Sequence, residues 1–264
     1  MALTIRDVPA SQGLLWLRQG LTECLRQPLG YASLFVLFLF AAMLLTALPL
    51  IGGLLLLMAV PLLSLAFLMA TAGAQRGLPV RAAVFLAPWQ QRDMGRKRAL
   101  LSLCMLHALA TLLILVLGDW LDGGRFEDLL SALARGDASV PEIQTLLGEP
   151  AVLFGGMERM LGSALLSLPF WHAPALVQWE GQRPAQALFS SLLAIWRVRA
   201  AFTLYSLGWL ALTAVAGMAL SLLLAVLGPT SGAVLLVPLA IFLTTSFYVS
   251  LFFAFAGTFS RSSD

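Results

Sequence analysis

The sequence predicts an all-α membrane protein, a polytopic bundle of six transmembrane helices that forms one integral domain over its 264 residues. Six stretches of about 19 residues or more contain no Asp, Glu, Lys or Arg, and about 20 apolar residues of helix cross the hydrocarbon core of a bilayer. Hydrophobic residues make up 60% of the chain and charged residues 11%, whereas about a quarter of a soluble domain is charged. The six stretches are Gly30–Leu48, Leu50–Ala74, Ala99–Leu117, Met160–Trp179, Ala201–Leu227 and Ala233–Ala256.

The charged residues predict which way the chain faces. If the N-terminus is cytoplasmic, every basic residue except Arg125, Arg135 and Arg159 falls in a cytoplasmic segment, whereas most acidic residues lie outside, between Asp119 and Glu158. Lys and Arg concentrate in the cytoplasmic loops of membrane proteins. Six spans then place both termini on the cytoplasmic side of a bacterial inner membrane. The same separation argues against a nucleic-acid partner, although the net charge is +3.

The first 29 residues predict a cytoplasmic amphipathic segment (residues 1–29). Polar and apolar residues alternate there, whereas a cleavable signal peptide has a continuous apolar core, so we expect the first span to act as an uncleaved anchor. Leucines at helical spacing predict one apolar face for this segment, at Leu14, Leu17, Leu21 and Leu25.

The layout of the chain indicates three repeated helix pairs, each preceded by a cytoplasmic interfacial amphipathic helix. Each odd-numbered span follows a proline, a short amphipathic stretch and basic residues, and the prolines are Pro9, Pro79 and Pro184. In the third stretch one apolar face is predicted, at Leu188, Leu192, Ile195 and Trp196. Each even-numbered span carries an early proline, at Pro61, Pro169 and Pro238. Inherited repeats are frequent in membrane proteins, and chance alignment of common residues is the alternative.

The amphipathic segments have two interpretations. They lie in the cytoplasmic interface, with apolar faces among acyl chains and arginines among anionic headgroups, or they form a docking surface for a soluble partner. We favour the interface, because interfacial position alone explains the pattern. The basic cluster Arg96, Lys97 and Arg98 fits the same picture, as a topology anchor first and as candidate contacts with anionic lipids second.

Residues 119–159 are predicted to form an extracytoplasmic loop with short helices. Apolar residues at helical spacing predict a first helix, at Phe126, Leu129, Leu130 and Leu133. Ser139 and Glu142 have the spacing of a capping box, which predicts a second helix through Leu147. We expect this loop to cover the outer mouth of the bundle, and the alternative is that it lies on the outer leaflet. It is too short for a catalytic domain.

Several local motifs resemble those of a known group of proteins. They are Gly13-Leu-Leu-Trp16-Leu, Arg26-Gln-Pro28, Arg76-Gly77-Leu-Pro79 and Gly181-Gln-Arg183-Pro184-Ala185-Gln-Ala187. With this layout the chain resembles an uncharacterised family of proteobacterial six-helix inner-membrane proteins. More distantly, it resembles the membrane domain fused to some glycerophosphoryl diester phosphodiesterases. The motifs are structural, and the phosphodiesterase domain itself is absent, so the resemblance implies a fold and neither an activity nor a metal.

The two histidines, His107 and His172, both lie in predicted spans, where ionisable residues are uncommon and often functional. Eight residues separate each from the predicted cytoplasmic end of its span, which is about 12 Å of helix. Consecutive helices usually pack together, so we expect the two imidazoles at a similar depth. Within about 8 Å and in a polar cavity they would support a pH-sensitive role. If the two rings instead face opposite sides of the bundle, each is a solitary histidine bonded to a carbonyl or hydroxyl group. Replacing either by Gln or Asn would then have little effect.

The string from Pro169 to Pro174 contains Trp171 and His172 between its two prolines. These prolines are expected to break or bend the fourth helix and to free backbone carbonyls beside both side chains. Transporters bind substrates at broken helices near the middle of the membrane. Kinks made of proline and aromatic residues are also ordinary packing devices, so both interpretations stay open.

The sequence predicts no enzyme, because paired carboxylates in the spans and the Gly-x-Ser-x-Gly, His-Glu-x-x-His and phosphate-loop motifs are absent. Cys24 and Cys104 fall toward the cytoplasm, where thiols stay reduced, and neither predicts a disulfide or a metal site; no cofactor is expected. The leading hypothesis is a non-enzymatic accessory, assembly or lipid-interacting scaffold protein that contacts membrane lipids and either a membrane-protein partner or a second copy. The alternative is a small transporter or channel that uses the kinked fourth span. A water-filled cavity reaching His172 would favour transport, and a dry, leucine-packed centre would favour the scaffold.

Overall fold

The computed structural model describes residues 3–135, 139–227 and 229–261 of the chain. In chain order, the elements are β1 Leu3–Ile5, α1 Gln12–Arg26, α2 Pro28–Thr46, α3 Gly52–Ala74, a 3₁₀ helix Ala82–Phe85, α4 Ala87–Gln90, α5 Met94–Asp122, α6 Arg125–Arg135, α7 Val140–Gly148, α8 Pro150–Phe170, α9 Ala173–Glu180, α10 Pro184–Arg197, α11 Arg199–Leu227, α12 Pro229–Thr258 and β2 Phe259–Arg261.

Six segments of the structure are long and apolar enough to cross a membrane: α2, α3, α5, the combined α8–α9, α11 and α12. The predicted all-α polytopic bundle is therefore confirmed. One short addition was not predicted, because β1 pairs with β2 in an antiparallel ladder that joins Leu3 to Arg261. This pairing brings the two described ends of the chain to the same end of the bundle. We call it the basic end, and we call the opposite end, where α6 and α7 lie, the acidic end.

The third and fourth spans are longer than predicted. The predicted limits were Ala99–Leu117 and Met160–Trp179, but α5 continues to Asp122 and the fourth span begins at Pro150. The charged side chains that ended the apolar stretches lie within these helices, because Arg159 of α8 pairs with Asp119 and Asp122 of α5. The predicted loop 119–159 is correspondingly shorter.

The two predicted short helices are present as α6 and α7. The hydroxyl of Ser139 accepts a hydrogen bond from the backbone N–H of Glu142 at 3.3 Å, as expected of an N-terminal cap. Helix α6 packs mainly against α5, α7 and α8. The pair therefore covers the acidic ends of α5 and α8 rather than the whole mouth of the bundle.

The packing of the segments at the basic end follows a threefold pattern. The 3₁₀ helix packs on α2 and α3, α10 packs on the fourth span α8–α9 and on α5, and α1 packs on α11 and α12. Each segment thus contacts the helix pair that precedes it in the chain, with α1 closing the cycle on the last pair. The second segment departs from the prediction, because it consists of the 3₁₀ helix and the one-turn α4 instead of a single amphipathic helix.

Burial is concentrated toward the basic end. The buried side chains of α2 are Tyr31 and Leu34 in its first turns, and those of α3 lie from Pro61 onward, apart from Gly52. In the apolar stretch of α11, only 6% of the residues are buried by the rest of the protein. The acidic-end halves of these helices therefore present apolar surface, as helices do when lipid surrounds them.

Candidate functional site

The first amphipathic helix is wedged between two spans, and the face that it buries differs from the predicted one. Gly13, Trp16, Gly20 and Cys24 are buried, whereas two of the four predicted leucines are exposed and the other two are only partly buried. A Cβ atom on Gly13 would overlap the carbonyl oxygen of Ala201. The close approach of the backbones therefore requires glycine, and the predicted stripe Leu14, Leu17, Leu21 and Leu25 lies to one side of the packed face.

A buried carboxylate joins α1 to the end of α3. Glu23 is 3% exposed, and its Oε2 atom accepts hydrogen bonds from Gln75 Nε2 at 2.8 Å and Arg26 Nη1 at 3.2 Å. Cys24 lies beside it, with its Sγ atom 3.5 Å from Thr245 Oγ1 on α12. This cluster was not predicted from the sequence, although Glu23, an acidic residue between Arg18 and Arg26 on α1, was a signal for it.

The fourth span is broken as its prolines predict. Helix α8 ends at Phe170, one residue after Pro169, and α9 begins at Ala173, one residue before Pro174. The Ser191 hydroxyl on α10 lies in the gap, accepting from the backbone N–H of His172 and donating to the carbonyl of Leu168, both at 3.4 Å. In an unbroken helix these two backbone groups would bond to each other. A side chain of α10 therefore bridges the interrupted ladder.

The third amphipathic segment is accordingly more deeply packed than predicted. Helix α10 buries Ala187, Ser191, Ala194 and Ile195. The predicted apolar face was Leu188, Leu192, Ile195 and Trp196, of which Leu192 and Trp196 are exposed. Small residues again mark the packed face, because they allow two helices to approach closely.

The side chain of His172 is enclosed by aromatic rings. It is fully buried, and its ring centroid lies 5.7 Å from those of Phe202 and Phe255 and 5.6 Å from that of Phe259. Neither ring nitrogen has a hydrogen-bond partner among the described residues. The predicted bond to a carbonyl or hydroxyl is therefore wrong for His172.

His107 has the carbonyl partner that the sequence analysis expected. Its Nδ1 atom lies 2.9 Å from the carbonyl oxygen of Leu57. Pro61 has no N–H to bond this carbonyl four residues before it, so His107 donates to the acceptor that the proline leaves free. Its ring also contacts Phe170 edge-on at 4.9 Å.

The two histidines lie in different surroundings, and the alternative in which they share one polar cavity is not found within the described residues. Helices α5 and α8 do pack together, but the two imidazole rings contact different aromatic side chains. His107 faces α3 and α8, whereas His172 faces the basic-end turns of α11 and α12 and the β2 strand. The prolines turn the chain between Phe170 and His172 and thereby separate the two environments.

Two cavities lie between α3, the fourth span and α12, and α5 also reaches the first of them through His107. The central cavity has a volume of about 180 Å³ and is lined by Val60, Pro61, Ser64, His107, Ser167, Phe170, Trp171, Phe247, Tyr248 and Leu251. The basic-end cavity has a volume of about 580 Å³ and is lined by Leu3, Met69, Ala72, Gly73, Gln75, Arg76, Leu78, Trp179, Glu180, Phe252, Phe255, Ala256 and Phe259. His172 lines neither of them.

Four buried leucines next to the two cavities, which we call the leucine plug, belong to one cluster of buried apolar side chains. Along α3, Leu65 and Leu68 lie between Ser64 of the central cavity and Met69 of the basic-end cavity. The plug is made of side chains that are at most 1% exposed, namely Leu65, Leu68, Leu176 and Leu251. This part of the core is therefore packed by apolar side chains.

The basic cluster is partly used inside the protein. Arg96 Nη1 donates to the carbonyl of Gln178 at 2.9 Å and so caps the last turn of α9, where cations are favoured. Its Nε atom lies 3.2 Å from Asp93 Oδ2. Lys97 is half-buried and Arg98 exposed, so these two are better placed than Arg96 to reach lipid.

A charged clasp at the acidic end was not predicted. Arg159 on α8 pairs with Asp119 and with Asp122 of α5, whose side chain is fully buried. Helix α8 comes close to α5 at Gly155, where a Cβ atom would overlap the Asp122 carboxylate. The signal in the sequence was opposite charges at the facing ends of two consecutive spans, with glycines beside them.

Comparison with known proteins gives one informative similarity. The chain is 27% identical over 254 residues to a probable inner membrane protein of Burkholderia thailandensis, and the alignment covers 96% of this chain and 93% of that protein. Six candidate spans are present as well. The chain is a multi-pass inner-membrane protein. No family model matches it, and no solved structure matches it, so the relation to phosphodiesterase membrane domains stays a prediction.

Proposed function

We propose that this inner-membrane protein is a non-enzymatic scaffold or accessory protein that works in contact with membrane lipids and with a membrane-protein partner or a second copy. The observation that carries the proposal is the leucine plug, whose four side chains are at most 1% exposed. A transport path requires polar groups or water along the centre, and the plug presents neither.

The polar groups of the spans support the same proposal, because they hold helices together. His107 bonds a freed carbonyl, Ser191 bridges a helix break and Arg159 joins α8 to α5. Among the described residues, no group of three or more His, Cys, Asp or Glu side chains is placed to hold a metal ion. Side chains already bonded in this way are poor candidates for acid–base or nucleophilic catalysis, which needs a reactive group within reach of a substrate.

We also propose that both termini face the cytoplasm. The structure brings the two ends of the chain to the basic end through the β1–β2 pairing. That end carries Arg76, Arg96, Lys97 and Arg98, and the acidic end carries Asp119 and Asp122. This distribution follows the positive-inside rule.

The test is purification of the full chain in polymer-bounded discs of native membrane, with quantitative mass spectrometry of the proteins and lipids that accompany it. A scaffold is expected to carry a membrane protein or a second copy at fixed stoichiometry. In parallel, proteoliposomes containing the purified chain should be no more permeable to small ions than protein-free vesicles. Ion flux together with a chain that purifies without companions would contradict the proposal.

Transport is the second candidate, favoured by the central cavity, where Ser64, Ser167 and His107 line a space beside the broken fourth span. On this hypothesis the leucine plug is a closed gate. Flux in proteoliposomes should then appear and should fall when His107→Leu removes the polar group from the cavity, with His172→Leu, outside the cavity, as the matched control.

A further inference from the structure

We infer that the basic-end cavity binds one phospholipid, with an acyl chain in its aromatic interior and the headgroup phosphate at Arg76. This inference deepens the proposed function, on which it rests, by assigning the lipid contact to a particular site. The volume of about 580 Å³ lies within the range of about 300–1,000 Å³ that is typical of ligand sites.

The interior of the cavity has the chemistry of an acyl-chain site. Three helices and the strand pair contribute apolar side chains to it, with Met69 from α3, Trp179 from α9 and Phe252 and Phe255 from α12. Trp179 packs edge-on against Phe255, with ring centroids 5.1 Å apart. Tryptophan is favoured at the membrane interface, where its ring is apolar and its N–H can remain in polar surroundings.

Small residues keep this space open. Ala72 and Gly73 of α3 line the cavity on one side, and Ala256 of α12 lines it on another. A Cβ atom on Gly73 would meet only Leu78, at an ordinary contact distance of 3.9 Å. A side chain added at Gly73 would therefore begin without striking the backbone of a neighbouring helix.

The mouth of the cavity provides a cation for a phosphate. Arg76 lies directly after α3, and a turn at Gly77, with φ of 80°, fixes its backbone position. It is exposed, and no acidic side chain among the described residues pairs with it. Glu180 lines the same cavity, but it already interacts with another group of the protein. Guanidinium groups bind phosphate through charge-assisted, often bidentate, hydrogen bonds.

The position of the cavity suits a lipid from the surrounding bilayer. It lies between the last turns of α3, α9 and α12. These turns are at the basic end of the bundle. Ala256 is exposed, so this wall is accessible from outside the chain.

The experiment uses the full-length protein in detergent, stripped of native lipid and titrated with palmitoyl-oleoyl phosphatidylglycerol while native mass spectrometry counts the bound molecules. The wild type should retain one molecule per chain. Arg76→Gln should weaken binding about tenfold, the effect of losing a charge-assisted hydrogen bond, and Ala72→Phe should abolish it by filling the cavity. Gly73→Leu repeats the filling test if Ala72→Phe does not fold, as judged by circular dichroism.

Two matched controls separate this site from general effects. Arg81→Gln removes an exposed charge near the same end, and Ala41→Phe adds a ring on the exposed face of α2; both should bind as the wild type does. Equal weakening by Arg81→Gln and Arg76→Gln, or unchanged binding in both cavity-filling variants, would overturn the inference. Displacement by glycerol 3-phosphate would also overturn it, because the site would then take a soluble phosphate. A lipid-free cavity in discs that still contain the companion protein would refute this site and leave the scaffold proposal standing.

Discussion

Arg159 holds three helices together at the acidic end. Its guanidinium pairs with Asp119 and Asp122 of α5 and lies 4.8 Å from the ring centroid of Phe126 on α6. The Asp122 side chain is fully buried and also accepts a hydrogen bond from the N–H of Gly124 at 2.8 Å. The pair is therefore well satisfied, which is the condition under which a buried ion pair is tolerated.

Replacing Arg159 by leucine should destabilise the protein by about 3–5 kcal/mol, because it leaves the buried Asp122 carboxylate without its counter-ion. Thermal unfolding in detergent would measure the change. The double variant Arg159→Leu/Asp122→Leu should recover most of the loss, since both charges are then absent. Arg125→Gln, which removes the ion pairs of an exposed arginine with Asp128 and Glu149, should change stability by no more than about 1 kcal/mol. Equal losses in Arg159→Leu and Arg125→Gln would show that the clasp has no special weight.

The two histidines should respond in opposite directions to the same substitution. His107→Leu leaves the Leu57 carbonyl without its donor and should cost about 1–3 kcal/mol. His172→Leu removes two buried ring nitrogens that have no partner within the described part of the chain, and it should be neutral or stabilising by about 1 kcal/mol. Unfolding midpoints of the two variants, compared side by side, test this. A strongly destabilised His172→Leu would indicate a polar partner for that ring.

Helix α1 is part of the bundle, because glycines on its packed face allow its backbone to approach α11 and α12 closely. Gly20 approaches Ser250 of α12 so closely that any side chain there would overlap it. Gly20→Leu should therefore release α1, and trypsin should cleave after Arg18 much faster than in the wild type. Gln19→Leu, on the exposed face of the same helix, is the control and should leave the cleavage rate unchanged. Similar cleavage of both variants would show that α1 is held by some other contact.

The elements show where the sequence was informative. Long stretches without charge predict spans well, and the cap at Ser139 and the break between Pro169 and Pro174 follow from local chemistry. The packed faces of α1 and α10 were harder to predict. Leucine periodicity assigned the larger side chains inward, but in a membrane the larger side chains can face lipid while glycine, alanine and serine face other helices.

The molecule as a whole has a tightly packed basic end and helices that expose apolar surface toward the acidic end. The basic end also carries the three short segments, the β1–β2 pairing and the larger cavity. Charge patterning predicted which segments share an end, because topology depends on the sum of many residues. The cavities and the leucine plug were not predictable, because they depend on which side chains of distant spans face each other.

The orientation of this whole arrangement gives the last prediction. A reporter that is active only in the periplasm should be silent when fused after Asp264 and active when fused after Gly136, two positions that lie outside the described residues. The physical reason is that basic segments are retained in the cytoplasm, whereas the acidic segment between α5 and α8 is translocated. A cytoplasm-specific reporter at the same two positions should give the reverse pattern and so controls for expression. Periplasmic activity at Asp264 would invert the topology and would place Arg76 and the basic-end cavity at the periplasmic leaflet.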